Sequence, residues 1–98
     1  MNNPLPIITE ITLTPITPRD GLVAFASLTF NECLRLNDIA VHTDIKNGGF
    51  RLCYPAKEIF TGKKINLFYP INKETGKILT EVVSAELEKL INSNIKKN

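Results

Sequence analysis

A change of hydrophobic period near Pro70 constrains the fold more than any other feature of this sequence. Before that proline, apolar and polar residues alternate in short runs separated by turn residues, which is typical of antiparallel strands. After it, apolar residues recur at helical spacing, and Asn72 is well placed to cap a helix running from about Lys73 to Asn92. The residues of this helical stripe are Ile71, Ile78, Leu79, Val82, Val83, Leu87, Leu90 and Ile91. The sequence therefore predicts a two-layer α+β domain, an antiparallel sheet of about five strands with one long C-terminal helix packed on it.

The strands are predicted from alternation and from the turn residues between them. Their predicted ranges are 7–14, 22–30, 33–41, 50–54 and 65–69. Pro15 and Pro18 are expected to end the first strand, and Asn47-Gly48-Gly49 is the strongest turn signal in the chain.

Two further local features carry structural expectations. Asn37 and Asp38 interrupt the apolar period of the third strand, which predicts a bulge that switches the inward-facing side. Residues 56–64 are predicted to form a loop or hairpin tip, with Gly62 at a position of positive φ. Gly76, near the helix start, is expected to allow close approach to the sheet.

Length and composition bound the class of protein. The 98 residues predict one domain over residues 7–92, with a lead-in at 1–6 and a frayed tail at 93–98. No apolar run approaches the roughly 20 residues of a membrane span, and the N-terminus lacks the pattern of a signal peptide, so we expect no membrane association. Cys33 and Cys53 have no CxxC spacing, which favours free thiols in a reducing cytoplasm.

Positive charge is concentrated in the middle of the chain. The window from Lys46 to Lys77 carries seven basic and two acidic residues, whereas the whole chain is only +2. Because anionic partners respond to local field, this window predicts a nucleic-acid-binding surface. The candidate nucleic-acid-binding residues are Lys57, Lys63, Lys64, Arg51, Lys73 and Lys77.

Aromatic residues share the same window, as single-strand binding by base stacking would require. Packing in the core is nevertheless the favoured interpretation for Phe50, Tyr54 and Phe68. A segment around Phe50 and Tyr54 weakly resembles an RNA recognition motif, but that fold needs two helices, and one helical pattern is present.

No catalytic constellation emerges from the residues. Asp38 and His42 could share a strand face with Ser27 or Cys33 nearby, but any chain with a histidine offers such a set, and an ordinary histidine is the favoured interpretation. The Gly-Lys pairs do not complete a phosphate-binding loop. We therefore expect a protein that is not an enzyme and that takes no metal or cofactor.

The order of these features resembles the SpoVG (stage V sporulation protein G, septation regulator) family. The matching phrases are ITEITLTPI, VAFASLTFNECLRLNDIAV, NGGFRLCYPAK and FYPINKETGKI, in this order and over about 80 residues. The resemblance implies a small cytoplasmic bacterial regulator linked to sporulation and asymmetric septation. It also implies a homodimer that binds DNA, RNA or both and that can associate with the nucleoid.

Carried onto this chain, the family's basic turn falls on Lys57 and on Lys63 and Lys64. The family commonly has a second basic residue directly after the first lysine, where this chain has Glu58, so a phosphate contact is replaced by a repulsive charge. Where the family has an HPIN-like phrase, this chain has Tyr69 in place of the histidine.

Independently of the family, one helix cannot cover both faces of a five-stranded sheet, and this predicts a homodimer. The alternative function is a protein-interaction module that acts on a cell-division or signalling partner without physiological nucleic-acid binding. An exposed apolar patch would favour that alternative.

Overall fold

The computed structural model describes residues 5–96, which form a four-stranded antiparallel sheet, a separate two-stranded hairpin and a C-terminal helix. The sheet has the order β1-β2-β3-β4, and β5 pairs with β6. The elements are β1 (Ile8–Arg19), β2 (Leu22–Phe30), β3 (Leu34–Thr43), β4 (Phe50–Cys53), β5 (Ala56–Glu58), β6 (Lys64–Asn66) and α1 (Lys73–Lys96). The predicted α+β class is confirmed. Within residues 5–96, no helix has the length and apolarity to cross a membrane.

The core lies between one face of the sheet and α1. Its buried residues are Ala24, Ala26, Leu28, Ile39, Val41, Leu79, Val83 and Leu87. The helix starts where the sequence predicts, since the backbone N–H of Thr75 donates to Asn72 Oδ1 over 2.8 Å and so caps the first turn. Three residues of the predicted helical stripe, Leu79, Val83 and Leu87, are buried. Ile78, Val82 and Leu90 are only partly buried, and the two ends, Ile71 and Ile91, are exposed.

Two bulges lie on either side of β2 near Ser27 and Leu28, and a further register shift between β2 and β3 lies at Val23. In β3, Asn37 and Asp38 together lie opposite Ser27, and Asp38 has a φ of 64°. The predicted bulge is therefore confirmed, and it turns Leu36 and then Ile39 toward the core. In β1, Glu10 and Ile11 lie opposite Leu28, a second bulge that the sequence did not reveal.

Arg35 links these three strands on the face of the sheet away from α1. Its Nη1 donates to the backbone oxygen of Glu10 over 2.7 Å and to Thr29 Oγ1 over 3.0 Å. Its Nη2 donates to Thr12 Oγ1 over 3.3 Å. A single guanidinium on β3 thus satisfies the carbonyl that the β1 bulge displaces.

The first strand is longer than predicted. β1 continues through Pro15 and Pro18 to Arg19, although both prolines were expected to end it. The physical reason is its position, because β1 is an edge strand with one side unpaired, where proline removes no ladder hydrogen bond. The register shifts between Pro15 and Arg19, which shows an irregularity around the second proline.

Other boundaries also differ from the prediction. The strand predicted at residues 65–69 is β6, which spans Lys64–Asn66. It pairs with β5 and not with the main sheet. The helix ends at Lys96, four residues beyond Asn92, so the predicted tail lies partly in the helix, and residues 97–98 and 1–4 lie outside the described residues. Gly76 approaches Pro70 and not the sheet, since a Cβ there would lie 3.3 Å from Pro70 Cγ.

Candidate nucleic-acid interface

The hairpin of β5 and β6 ends in a tight turn that the sequence predicts through Gly62. The backbone N–H of Gly62 donates to the oxygen of Ile59 over 2.9 Å, and the N–H of Ile59 donates to the oxygen of Lys63 over 2.8 Å. Gly62 has a φ of 83°, a conformation that side-chain-bearing residues rarely adopt. A three-residue loop that ends in a left-handed glycine is a common hairpin connection, and here it places Phe60 and Thr61 at the outermost point.

The base of the hairpin is attached to the end of β4. The backbone N–H of Leu67 donates to the oxygen of Pro55 over 2.8 Å, and Asn66 Nδ2 donates to the oxygen of Tyr54 over 3.2 Å. The rings of Tyr54 and Phe68 meet edge to face with their centroids 6.1 Å apart. These contacts attach the hairpin, residues 56–66, to one end of the sheet, from which it extends as an arm.

The three lysines of this arm do not form a single row. Lys57 lies opposite Ile65, and Lys64 lies opposite Glu58. Because successive side chains on a strand point to opposite faces, Lys57 and Lys64 project from opposite faces of the hairpin. Lys63 follows the turn glycine at the tip, and all three lysines are exposed.

Glu58 lies on the same hairpin as these lysines, and its negative charge opposes their positive charge. Its register partner is Lys64, and its Oε2 lies 3.9 Å from the point where a Cβ on Gly62 would be. The carboxylate therefore lies against the turn, on the same face of the hairpin as Lys64. Glu58 thus lowers the net positive charge of the face that carries Lys64, whereas Lys57 lies opposite the apolar Ile65.

The remaining candidates fall into two groups. Lys73 and Lys77 are exposed and lie one turn apart at the start of α1. That start lies at the same end of the sheet as the arm, because Tyr54 after β4, Phe68 after β6 and Thr75 in α1 line one cavity. Arg51 is exposed elsewhere, on the sheet face away from α1, where its Nη1 lies 3.1 Å from Cys53 Sγ.

Phe60 is the residue of this region that the sequence analysis did not single out. Its side chain is 99% exposed at the tip of the arm. By contrast, Phe50, Tyr54 and Phe68 pack against the core, as predicted. The available signal was the position of Phe60 two residues before the turn glycine, where a side chain has no sheet to pack on.

An apolar cavity of about 140 Å³ opens beside the arm. Its lining residues are Phe30, Leu34, Leu36, Tyr54, Phe68, Tyr69, Pro70, Thr75 and Leu79. The hydroxyl of Tyr54 is buried there and has no hydrogen-bond partner among the described residues. Burial favours the neutral phenol and raises the pKa of Tyr54 to about 12.

The opposite end of β4 carries the turn around Asn47. Asp44 accepts hydrogen bonds from the backbone N–H and from Nδ2 of Asn47, both over 3.2 Å, and these bonds lower the pKa of Asp44. Ile45 in this turn is 94% exposed and Lys46 is exposed beside it. This turn therefore presents an apolar residue next to a cation at the end of β4 away from the arm.

Comparisons with known proteins agree with the sequence resemblance. A family model described as SpoVG matches residues 7–89. A relative from Treponema denticola is 29% identical, covering 84% of this chain and 86% of its own length. Relatives from Phytoplasma australiense and Caldicellulosiruptor bescii are 23% and 27% identical, covering 90% and 88% of this chain and 90% and 96% of their own lengths. All three are named "Putative septation protein SpoVG", and none is named as an enzyme.

Proposed function

The chain belongs to the SpoVG family, and on this basis we propose that it is a non-enzymatic, homodimeric regulator that binds DNA or RNA in the cytoplasm and acts in septation. The observation that carries the proposal is the arm, where Lys57, Lys63 and Lys64 are exposed on a hairpin that extends from the end of the sheet. Lys73 and Lys77 add two charges at the same end.

The arrangement suits phosphate binding better than base readout. Lysine is a compact, flexible cation that contacts phosphates as a point charge, whereas the planar guanidinium of arginine is pre-organised for bidentate contacts such as those to a base edge. The arm carries lysines and no arginine. We therefore expect micromolar affinity, weak sequence preference and a steep dependence on salt, with Kd values of about 10⁻⁶ to 10⁻⁴ M at physiological salt.

The test is fluorescence anisotropy with labelled duplex DNA and single-stranded RNA at several salt concentrations. A Lys63→Ala/Lys64→Ala variant should bind all sequences more weakly, and its salt slope should fall by about 1.4 to 1.8 if both lysines contact phosphate. The matched control is Lys46→Ala/Lys89→Ala, which removes the same formal charge from the far turn and from the helix. Equal binding by the wild type and the arm variant would contradict the proposed site.

Homodimer formation is supported by the uncovered face of the sheet. Across this face, the register places Phe25, Ala40 and Cys53 side by side on three strands. Phe25 is 37% exposed although it lies on a central strand. Analytical ultracentrifugation would test this part of the proposal, and Phe25→Lys should shift a dimer toward monomer. A wild type that sediments as a monomer at micromolar concentration would refute it.

A second function is favoured by a different observation, the exposed apolar side chains around the cavity beside the arm. Leu34 and Tyr69, which line the cavity, and Leu67, next to the lining residue Phe68, are each more than half exposed. A protein partner in division or signalling could bury them, with nucleic-acid binding incidental. Loss of a septation phenotype in Leu34→Lys, with unchanged DNA and RNA affinity and unchanged dimerisation, would favour this alternative.

A further inference from the structure

We propose that Phe60 stacks on an unpaired base and that the arm therefore binds single-stranded nucleic acid in preference to duplex. This inference rests on the proposed function and narrows it to one class of nucleic acid. The ring is 99% exposed at the outermost turn of a hairpin that also carries Lys57, Lys63 and Lys64. Phosphate-binding cations next to an accessible aromatic face are the two components of single-strand binding sites.

Local structure gives no reason for an aromatic residue at this position. A side chain that is 99% exposed makes almost no packing contact, so Phe60 contributes almost nothing to the core. An exposed phenyl ring is also costly in water, since the burial of such a ring stabilises by about 1.5–3 kcal/mol. A partner with a flat apolar face would recover that free energy, and every nucleobase offers such a face.

The turn holds the ring in a position where a base can reach it. The hydrogen bonds from Gly62 to Ile59 and from Ile59 to Lys63 close the loop and fix the backbone on both sides of Phe60. Ile59 next to it is half-buried, so the tip presents one ring and not an apolar patch. A single ring with lysines nearby matches one base and its adjacent phosphates, whereas insertion into a lipid surface is favoured by larger apolar area.

A duplex offers no such contact unless a base pair opens. Its bases are already stacked on one another, and extrusion of one costs a few kcal/mol. The lysines contact phosphates in either form, but the ring adds affinity only for unpaired bases. The expected difference between single strand and duplex therefore depends on Phe60 and not on the lysines.

The experiment measures affinity and stacking separately. Phe60→Ala and Phe60→Leu are compared with the wild type by anisotropy, on labelled oligo(dT), on oligo(U) and on a duplex of matched length. We expect both variants to bind the single strands at least about 5-fold more weakly and the duplex within about 2-fold of the wild type. Ile45→Ala is the matched control, because Ile45 is 94% exposed and lies at the other end of β4.

Stacking itself has a direct readout, because the chain contains no tryptophan. Phe60→Trp introduces a single indole, whose fluorescence should be quenched in a saturable manner by oligo(dT). The indole of Ile45→Trp should not be quenched. Since both positions are almost fully exposed, thermal melting should show that all these variants fold as the wild type does.

Several results would overturn the inference. If Phe60→Ala binds single strands like the wild type, the ring does not stack, and the lysine-based proposal remains. If Phe60→Leu retains full affinity, an apolar contact and not base stacking is responsible. If duplex binding falls as much as single-strand binding, the preference for unpaired bases is wrong. A blue shift of the Phe60→Trp emission with anionic phosphatidylglycerol vesicles, with no quenching by oligo(dT), would assign the ring to lipid. A wild type that binds no nucleic acid would overturn both proposals.

Discussion

Removal of the carboxylate of Glu58 should strengthen nucleic-acid binding. Glu58 lies directly opposite Lys64 and against the turn at Gly62, so a phosphate held by Lys64 would lie near a negative charge. The sequence resemblance implies a basic residue at this position, where this chain has Glu58. Glu58→Gln keeps the shape of the side chain and removes the charge.

The magnitude follows from the cross-strand geometry. Side chains directly opposite each other on a hairpin have Cβ atoms about 5 Å apart, which places a phosphate on Lys64 roughly 8 Å from the Glu58 carboxylate. In water, two unit charges at about 8 Å repel by about 0.5 kcal/mol. Screening at about 0.15 M salt, where the Debye length is about 8 Å, reduces this to about 0.2 kcal/mol. Glu58→Gln should therefore bind about 2-fold more tightly at low salt and about 1.4-fold more tightly at physiological salt.

The assay is anisotropy with labelled RNA and DNA over a series of salt concentrations. Glu58→Lys changes the charge by two, which doubles the effect to about 1 kcal/mol and should give about a 5-fold gain at low salt. Glu88→Gln is the control, because Glu88 is exposed on α1 about 22 Å along the helix from Lys73. The reasoning is refuted if Glu58→Gln binds no more tightly than the wild type at low salt, or if the Glu88 variant shows the same gain.

Four further predictions concern the cavity and the core. Tyr54→Phe removes a buried hydroxyl that has no partner among the described residues, so chemical denaturation should show an unchanged or slightly higher free energy of unfolding, and a loss above about 1 kcal/mol would reveal a partner for that hydroxyl. In a Tyr69→Phe background, which leaves one tyrosine, ultraviolet absorbance should show Tyr54 ionising near a pKa of about 12 instead of the ordinary 10.0. Because that pKa is raised in the folded state, the contribution of Tyr54 to stability is fully present below about pH 10 and is lost as the pH rises toward 12. The free energy of unfolding, measured at both ends of this pH interval, would check this loss. Leu28→Ala in the fully buried centre of β2 should lower the free energy of unfolding by about 2–5 kcal/mol, and a loss below about 1 kcal/mol would contradict its place in the core.

The sequence predicts those parts of the fold that depend on local pattern. β2 has the predicted bounds, because both of its ends are marked by turn residues and its inner face is continuously apolar. The bulge at Asn37 and Asp38 is readable because two adjacent polar residues shift the apolar alternation by one position. The helix start is readable because Asn72 caps it.

Features that depend on tertiary position are not readable in this way. Prolines such as Pro15 and Pro18 would end a central strand but are compatible with an edge strand. Whether a strand lies at the edge depends on the strand order, which no local sequence pattern indicates. Similarly, the alternation at residues 65–69 indicates a strand but does not name its partner. The structure pairs the observed strand, Lys64–Asn66, with β5.

The candidate site is predictable in part for the same reason. The cluster of lysines is visible as an excess of charge in one window of the chain. Their division between two faces, and the opposition of Glu58 to Lys64, depend on a hairpin register that the sequence leaves open. The exposure of Phe60 is likewise invisible in composition, since the other phenylalanines and tyrosines of this window include several that pack against the core.

The prolines of β1 also bear on how copies of this protein can add to one another. A strand with missing N–H donors at Pro15 and Pro18 is a poor template, so another chain cannot easily extend the sheet past β1. The other edge of the sheet, β4, is only four residues long. A sheet that can be extended at one edge can pair with a second copy, but a fibre needs two compatible edges. The prolines thus make open-ended aggregation through the sheet unfavourable, and a closed pair remains accessible.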